Sequence, residues 1–189
     1  MTRAPFGICI AIALATSAAP AAHAQRMGSR LNLSAAAGVN VPIGDLDKQG
    51  QTGFGIAVRT ESGDSSEPWT YRGGITFDRF GGKGGLVDNY QYTTFVTELV
   101  HHTNKKAYQY VGIGFYQSKI VFVSTSTTGG MTNAATGTQA RTESDFGFQG
   151  GVGLNFGKNA KTFLEIGMVD VLSTGRTSVW FPVRVGIRL

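Results

Sequence analysis

The chain has 189 residues, including 27 Gly, 12 Phe, 6 Tyr, 2 Trp and one Cys, and its formal net charge is +5. Hydrophobic residues make up 41%, which excludes a disordered chain, and the glycines follow no three-residue period, which excludes collagen. Charged residues make up only 15%, against about 25% in an average soluble domain. Low charge with abundant glycine and aromatic residues is unusual for a soluble enzyme and would suit a small transmembrane β-barrel.

Residues 1–24 are predicted to form a cleaved secretory signal peptide. Arg3 supplies a positive start, residues 7–19 are apolar, and Ala22-His23-Ala24 is a small-x-small cleavage site. The only cysteine, Cys9, lies inside this segment, so the remaining domain, 25–189, would contain none. Disulfide and thiolate chemistry are therefore not expected there. The basic residues of this exported chain are scattered, and we expect no nucleic-acid partner.

Eight segments of 25–189 alternate apolar and polar residues with the period of two that is typical of β-strands. They are 31–41, 52–60, 69–79, 90–101, 108–123, 143–156, 162–171 and 179–189. Most are close to the 9–11 residues with which a tilted strand crosses a bilayer. The connections 42–51, 80–89, 124–139 and 173–178 are mostly longer than those between them, which is the pattern of outer-membrane barrels.

The alternation by itself fits both a membrane barrel with an apolar outside and a soluble barrel with an apolar inside. Two features favour the membrane: the apolar faces carry almost no charge, and the opposite faces are rich in Gly, Asn, Gln and Thr. In lipid the sheet must also close, because an open edge would leave backbone groups unpaired. The sequence therefore predicts an all-β fold, an eight-stranded antiparallel up-and-down transmembrane β-barrel.

Three stretches resemble the family of small porin-like outer-membrane β-barrel domains of the OmpA, OmpX and OmpW type. They are AGVNVPIGD at 37–45, YVGIGFY at 110–116 and FPVRVGIRL at 181–189. The resemblance implies a monomeric barrel in the outer membrane of a diderm (Gram-negative) bacterium. Its expected partners are outer-membrane lipid and the barrel-assembly machinery, which would read the C-terminal strand. Leu189 stands where such barrels usually end in an aromatic residue. The fold implies no single activity.

Charged residues are predicted to face the lumen and form an ion-pair network. Five follow from the alternation: Arg59, Arg72, Asp78, Arg184 and Arg188. Glu98 and Glu165 join them if the segments 90–101, whose phase is ambiguous, and 162–171 take the matching phase. Charges inside a narrow barrel must pair, since an unpaired buried charge costs several kcal/mol. This network would either fill a closed lumen or line a gated polar pathway. Because eight strands leave an interior that side chains nearly fill, we favour the closed lumen.

Five aromatic residues are predicted to anchor the barrel at the membrane interfaces, where Trp and Tyr are enriched. They are Trp69, Tyr71, Tyr90, Tyr92 and Trp180. Ordinary packing within the barrel is the alternative.

The segment His101-His102-Thr103-Asn104 loosely resembles the His-x-Ser-Asn segment of outer-membrane lipid A deacylases. Thr103 occupies the place of the serine nucleophile, so we expect no catalytic residue. Adjacent histidines on a strand point to opposite faces, so we expect no metal site, and nothing indicates a cofactor. The sequence favours a non-enzymatic envelope scaffold or a narrow porin-like channel. The alternatives are a barrel enzyme acting on lipid and a soluble periplasmic β-barrel that binds an apolar ligand.

Overall fold

A computed structural model describes residues 31–63, 67–85, 87–125, 136–157, 160–173 and 176–189. These ranges contain eight β-strands and a five-residue helix, α1 (Asp45–Gln49), between the first two strands. The strands are β1 (Leu31–Ile43), β2 (Gly53–Ser62), β3 (Trp69–Gly81), β4 (Val87–His102), β5 (Ala107–Thr125), β6 (Thr136–Phe156), β7 (Thr162–Ser173) and β8 (Arg176–Arg188).

Each strand pairs antiparallel with its neighbours in sequence, and β8 pairs with β1, so the sheet closes into an up-and-down barrel. This confirms the predicted fold class. Leu31 and Arg188 lie at one end of the barrel, which we call the terminal end. Helix α1 and the β3–β4 turn lie at the other, which we call the loop end. Among the described residues, no helix is long and apolar enough to cross a membrane.

Each predicted strand corresponds to an observed one, and two connections differ most from the prediction. Strand β6 begins at Thr136, inside the predicted loop 124–139, because pairing continues as far as Thr125↔Thr136. The Thr- and Gly-rich composition of this stretch is typical of a loop, yet cross-strand hydrogen bonds extend the hairpin. Helix α1 lies inside the predicted loop 42–51 and is held by one buried side chain, Leu46.

The outward faces of the strands are apolar and exposed, whereas the inward faces are polar and buried. Val58 and Ile113 are 55% and 63% exposed, while the neighbouring inward residue Arg59 is 1% exposed. This is the reverse of a soluble barrel, and it places apolar side chains where lipid would cover them. The arrangement is that of a transmembrane barrel.

Aromatic side chains mark the two edges of the apolar belt. Trp69 and Tyr71 point outward at the terminal end, with exposures of 51% and 61%. Toward the loop end, β2 to β6 each carry an outward phenylalanine. Those on β3 to β6 either pair directly with the phenylalanine of the preceding strand or pair with the residue two positions away from it. These residues, which we call the phenylalanine girdle, are Phe54, Phe77, Phe95, Phe115 and Phe146. Aromatic girdles of this kind flank the lipid-facing band of outer-membrane barrels.

Candidate functional site: the filled lumen

The inward side chains of β3 trace the lumen from the terminal end to the loop end. Alternate residues of a strand point to the same side of the sheet, so Thr70, Arg72, Asp78 and Phe80 all face the interior. Each belongs to a separate group of buried side chains. The lumen is therefore best described as four levels: a terminal cluster, a central ion-pair network, a second ion pair and an aromatic plug.

The terminal cluster joins Glu61, Thr70 and His102. Thr70 Oγ1 donates a hydrogen bond to Glu61 Oε1 at 2.6 Å. His102 Nε2 lies 2.9 Å from the same carboxylate oxygen and 3.1 Å from Thr70 Oγ1. Since one imidazole nitrogen contacts both groups and Nδ1 has no partner among the described atoms, the cluster lacks the acid–imidazole–hydroxyl relay of a nucleophilic site.

The other residues of the predicted deacylase-like segment lie apart from this cluster. His101 points outward, and its ring packs against Trp69 in a tilted arrangement with 4.3 Å between centroids. Thr103 is an exposed residue of the β4–β5 turn. The two histidines thus face opposite sides of the sheet. Among the described residues, no group of three His, Cys, Asp or Glu side chains could hold a metal ion.

The central network contains two arginines and two glutamates, each 2% exposed or less. Arg72 donates to Glu98 and, at 2.5 Å, to Glu165, and Arg59 also pairs with Glu165. Neutral side chains complete the network: Tyr108 donates its hydroxyl to Glu165 at 2.8 Å, and Gln149 donates to Glu98. Buried charges require this kind of pairing and hydrogen bonding.

The other three predicted lumen charges are also inside the barrel but stand apart from this network. Asp78 accepts hydrogen bonds from Arg184 and from Asn40, both at 2.7 Å, and forms the second ion pair. Arg188 lies near the terminal end and donates to Asn155 Oδ1 at 2.7 Å and to the carbonyl of Ala160 at 2.9 Å. The structure thus divides the seven predicted residues into a group of four, a pair and a single arginine.

Glycines on the inward faces make room for these charged side chains. A Cβ at Gly74 would lie 2.6 Å from Arg59 Cγ, and one at Gly112 would lie 2.7 Å from Glu98 Cγ. A Cβ at Gly55 would lie 2.1 Å from Asp78 Oδ1. These inward positions are therefore glycine because the buried charged side chains occupy the space that a Cβ would need.

The aromatic plug fills the lumen beyond the second ion pair. Trp180 packs against Tyr92, Phe80 and Tyr116, with centroid distances of 4.9, 5.6 and 6.2 Å. All four rings are buried. They place packed apolar side chains inside the barrel between its charged levels and the loop end.

The prediction that Tyr90, Tyr92 and Trp180 anchor the barrel at the membrane interface is wrong, because all three side chains are buried in one interior cluster. The strand alternation contains the signal for Trp180, since this residue shares its face with the inward Arg184. The plug residues Phe80 and Tyr116 were not predicted as site residues. Their inward positions follow from the same alternation, but the contacts between strands do not.

Helix α1 covers the loop-end mouth of the lumen as a lid. Leu46 packs into the cluster that contains the plug. Four hydrogen bonds hold the C-terminal part of α1. The Lys83 amide donates to the Gln49 carbonyl at 2.7 Å, and Tyr90 donates to Gln49 Oε1 at 2.9 Å. Lys83 Nζ donates to the Asp47 carbonyl at 2.6 Å and to Asp47 Oδ1 at 3.0 Å. On the solvent side, the hydrogen bond to Asp45 raises the pKa of Lys48.

Comparison with solved structures supports this fold. The chain is similar to Ail, the attachment invasion locus protein of Yersinia pestis, with a TM-score of 0.60 and 14% identity, over 84% of this chain and 97% of that one. It is also similar to the N-terminal β-barrel domain of Pseudomonas aeruginosa OprF, with a TM-score of 0.53 and 9% identity, over 85% and 99%. The chain has the fold of the small eight-stranded outer-membrane barrels. Neither a protein-family model nor a curated protein sequence matches it.

Proposed function

We propose that this protein is a non-enzymatic outer-membrane barrel that acts as an envelope scaffold with a closed lumen. The observation that carries the proposal is the succession of buried levels along β3, from the terminal cluster to the aromatic plug and the α1 lid. Each level brings buried side chains from at least three strands into contact. An eight-stranded barrel has room for such side chains and little else.

The terminal end would face the periplasm and the loop end the outside. Outer-membrane barrels have short periplasmic turns and longer outer loops, and here α1 and the long β5–β6 hairpin lie at the loop end. The barrel would thus present α1, the β3–β4 turn and the hairpin at the cell surface.

The closed lumen is tested by single-channel recording in planar bilayers. We expect the folded protein to show no steady conductance, because at least three independent levels obstruct the lumen. The variant Trp180→Ala should also show no steady conductance, since the ion-pair levels still obstruct the lumen. A sixteen-stranded porin recorded in the same bilayers serves as the positive control, because its lumen is an aqueous channel.

A large, stable open state of the unaltered protein would contradict the scaffold proposal and favour the narrow porin-like channel. If Trp180→Ala alone produced a stable open state, the ion-pair levels would not be sufficient to block ion flow through the lumen.

A further inference from the structure

A row of polar residues crosses the outward surface of three strands just beyond the phenylalanine girdle. The pairing Arg79↔Gln91↔Lys119 places these residues of β3, β4 and β5 on one line perpendicular to the strands. Arg79 and Lys119 are exposed on the outward face. Because neighbouring strands are about 4.8 Å apart, the two positive charges stand on backbone positions about 10 Å apart.

These two cations differ from the arginines of the lumen. Arg59, Arg72 and Arg184 each pair with a buried carboxylate, whereas neither Arg79 nor Lys119 has an ion-pair partner among the described residues. Between them, Gln91 Nε2 donates to Asn89 Oδ1 at 2.8 Å, which fixes the amide. The outward row therefore offers two free positive charges on either side of a fixed amide.

The depth of the row is set by the girdle. Phe77 lies two residues from Arg79 on the outward face of β3, and Phe95 and Phe115 lie four residues from Gln91 and Lys119. Girdles of aromatic residues flank the apolar band of outer-membrane barrels, and the next outward residues toward the loop end are the polar Arg79, Thr93 and Gln117. Arg79, Gln91 and Lys119 therefore stand at the level of lipid phosphates, directly above a surface suited to acyl chains.

We propose that Arg79, Gln91 and Lys119 bind the phosphorylated headgroup of a glycolipid in the outer leaflet, whose acyl chains pack on Phe77, Phe95 and Phe115. This inference rests on the proposed function, in which the loop end faces outside. The guanidinium of Arg79 would bind phosphate oxygens in a bidentate manner, and the ammonium of Lys119 would act as a point charge. The Gln91 amide would bind a sugar hydroxyl or phosphate oxygen.

The test uses the full folded chain in nanodiscs of phosphatidylcholine mixed with bisphosphorylated lipid A, with bound lipid measured by native mass spectrometry. The double variant Arg79→Gln/Lys119→Gln is compared with Lys105→Gln/Lys106→Gln, which removes the same charge from exposed positions in the β4–β5 turn at the terminal end. We expect the first variant to bind lipid A about 25-fold more weakly, since each Lys or Arg near an anionic lipid surface contributes about fivefold. The second should bind as the unaltered protein does.

Three results would overturn the inference: unchanged binding by Arg79→Gln/Lys119→Gln, equal binding of the dephosphorylated glycolipid, or displacement of lipid A by inorganic phosphate or a soluble anionic polysaccharide. The gel mobility of unboiled samples is recorded for every variant. A barrel that inserts but does not distinguish lipid A refutes this inference alone. A chain that fails to insert refutes the proposed function as well.

Discussion

Glu165 is the residue on which the central network converges. From β7 it accepts hydrogen bonds from Arg59 of β2, Arg72 of β3 and Tyr108 of β5. It therefore links four strands across the lumen rather than along the sheet. Tyr108 contributes a neutral hydrogen bond to this carboxylate. Removing the carboxylate would leave Arg59 and Arg72 with one buried positive charge that no carboxylate balances.

Replacing Glu165 with Gln should destabilise the barrel by about 3–5 kcal/mol, because it breaks a buried charge network from one side. The free energy of unfolding is measured by urea titration in lipid vesicles, with the fraction of folded barrel read from the gel mobility of unboiled samples. The matched control is Glu143→Gln, which removes an equal charge from the more exposed Arg141–Glu143 pair. This control should cost less than about 1 kcal/mol. Similar losses for the two variants would show that the central network contributes no more than a surface pair.

At the scale of elements, the seam between β1 and β8 decides whether the barrel closes. Gly38 of β1 pairs with Arg184 of β8 at this seam. A Cβ at Gly38 would lie 1.9 Å from the Val183 carbonyl oxygen and 2.7 Å from Arg184 Cα. Both are backbone atoms, so the clash could be relieved only by moving the strands apart.

The variant Gly38→Ala should therefore lose most of its folded, closed form when refolded into detergent micelles. The folded fraction is measured from the unboiled gel band and from the near-ultraviolet circular dichroism of the packed aromatic residues. Gly73→Ala is the control, since a Cβ there would meet only the Val96 carbonyl oxygen at 3.8 Å. Equal folded fractions for both variants would mean that the seam tolerates a methyl group.

Most strands were predictable from the sequence because apolar and polar residues alternate along them with a period of two, which also gives the face of residues such as Arg59 and Trp180. In β4 the strand was predictable but the face of Glu98 was not, because both phases of the segment carry apolar residues. The pairing inside the lumen was not predictable. Arg59 and Glu165 are 106 residues apart, and their contact depends on the registers of all the strands between them. Helix α1 escaped prediction because a five-residue helix has no periodic signal and is held by tertiary packing of Leu46.

At the scale of the whole molecule, the barrel has two surfaces with opposite requirements. Polar groups are hidden inside, where glycines admit them, and apolar groups lie outside, between the terminal aromatic residues and the phenylalanine girdle. Low overall charge and abundant glycine are thus the average of two dissimilar faces. A lipid environment stabilises this inside-out distribution, whereas water would leave the outer belt exposed.

Because lipid would cover the outer belt, the stability lost when an outward residue is replaced by arginine should depend on the depth of that residue in the bilayer. Val58 stands in the middle of β2, beside Ala35 and Ile75 on the neighbouring strands, whereas Leu31 begins β1 at the terminal end. Both side chains are about half exposed, at 55% and 49%. Val58→Arg should therefore cost about 2–4 kcal/mol in bilayers, and Leu31→Arg about 0–1 kcal/mol. The free energy of unfolding in vesicles measures both. A soluble barrel would behave differently, since arginine at either exposed position would leave its stability nearly unchanged in detergent-free buffer.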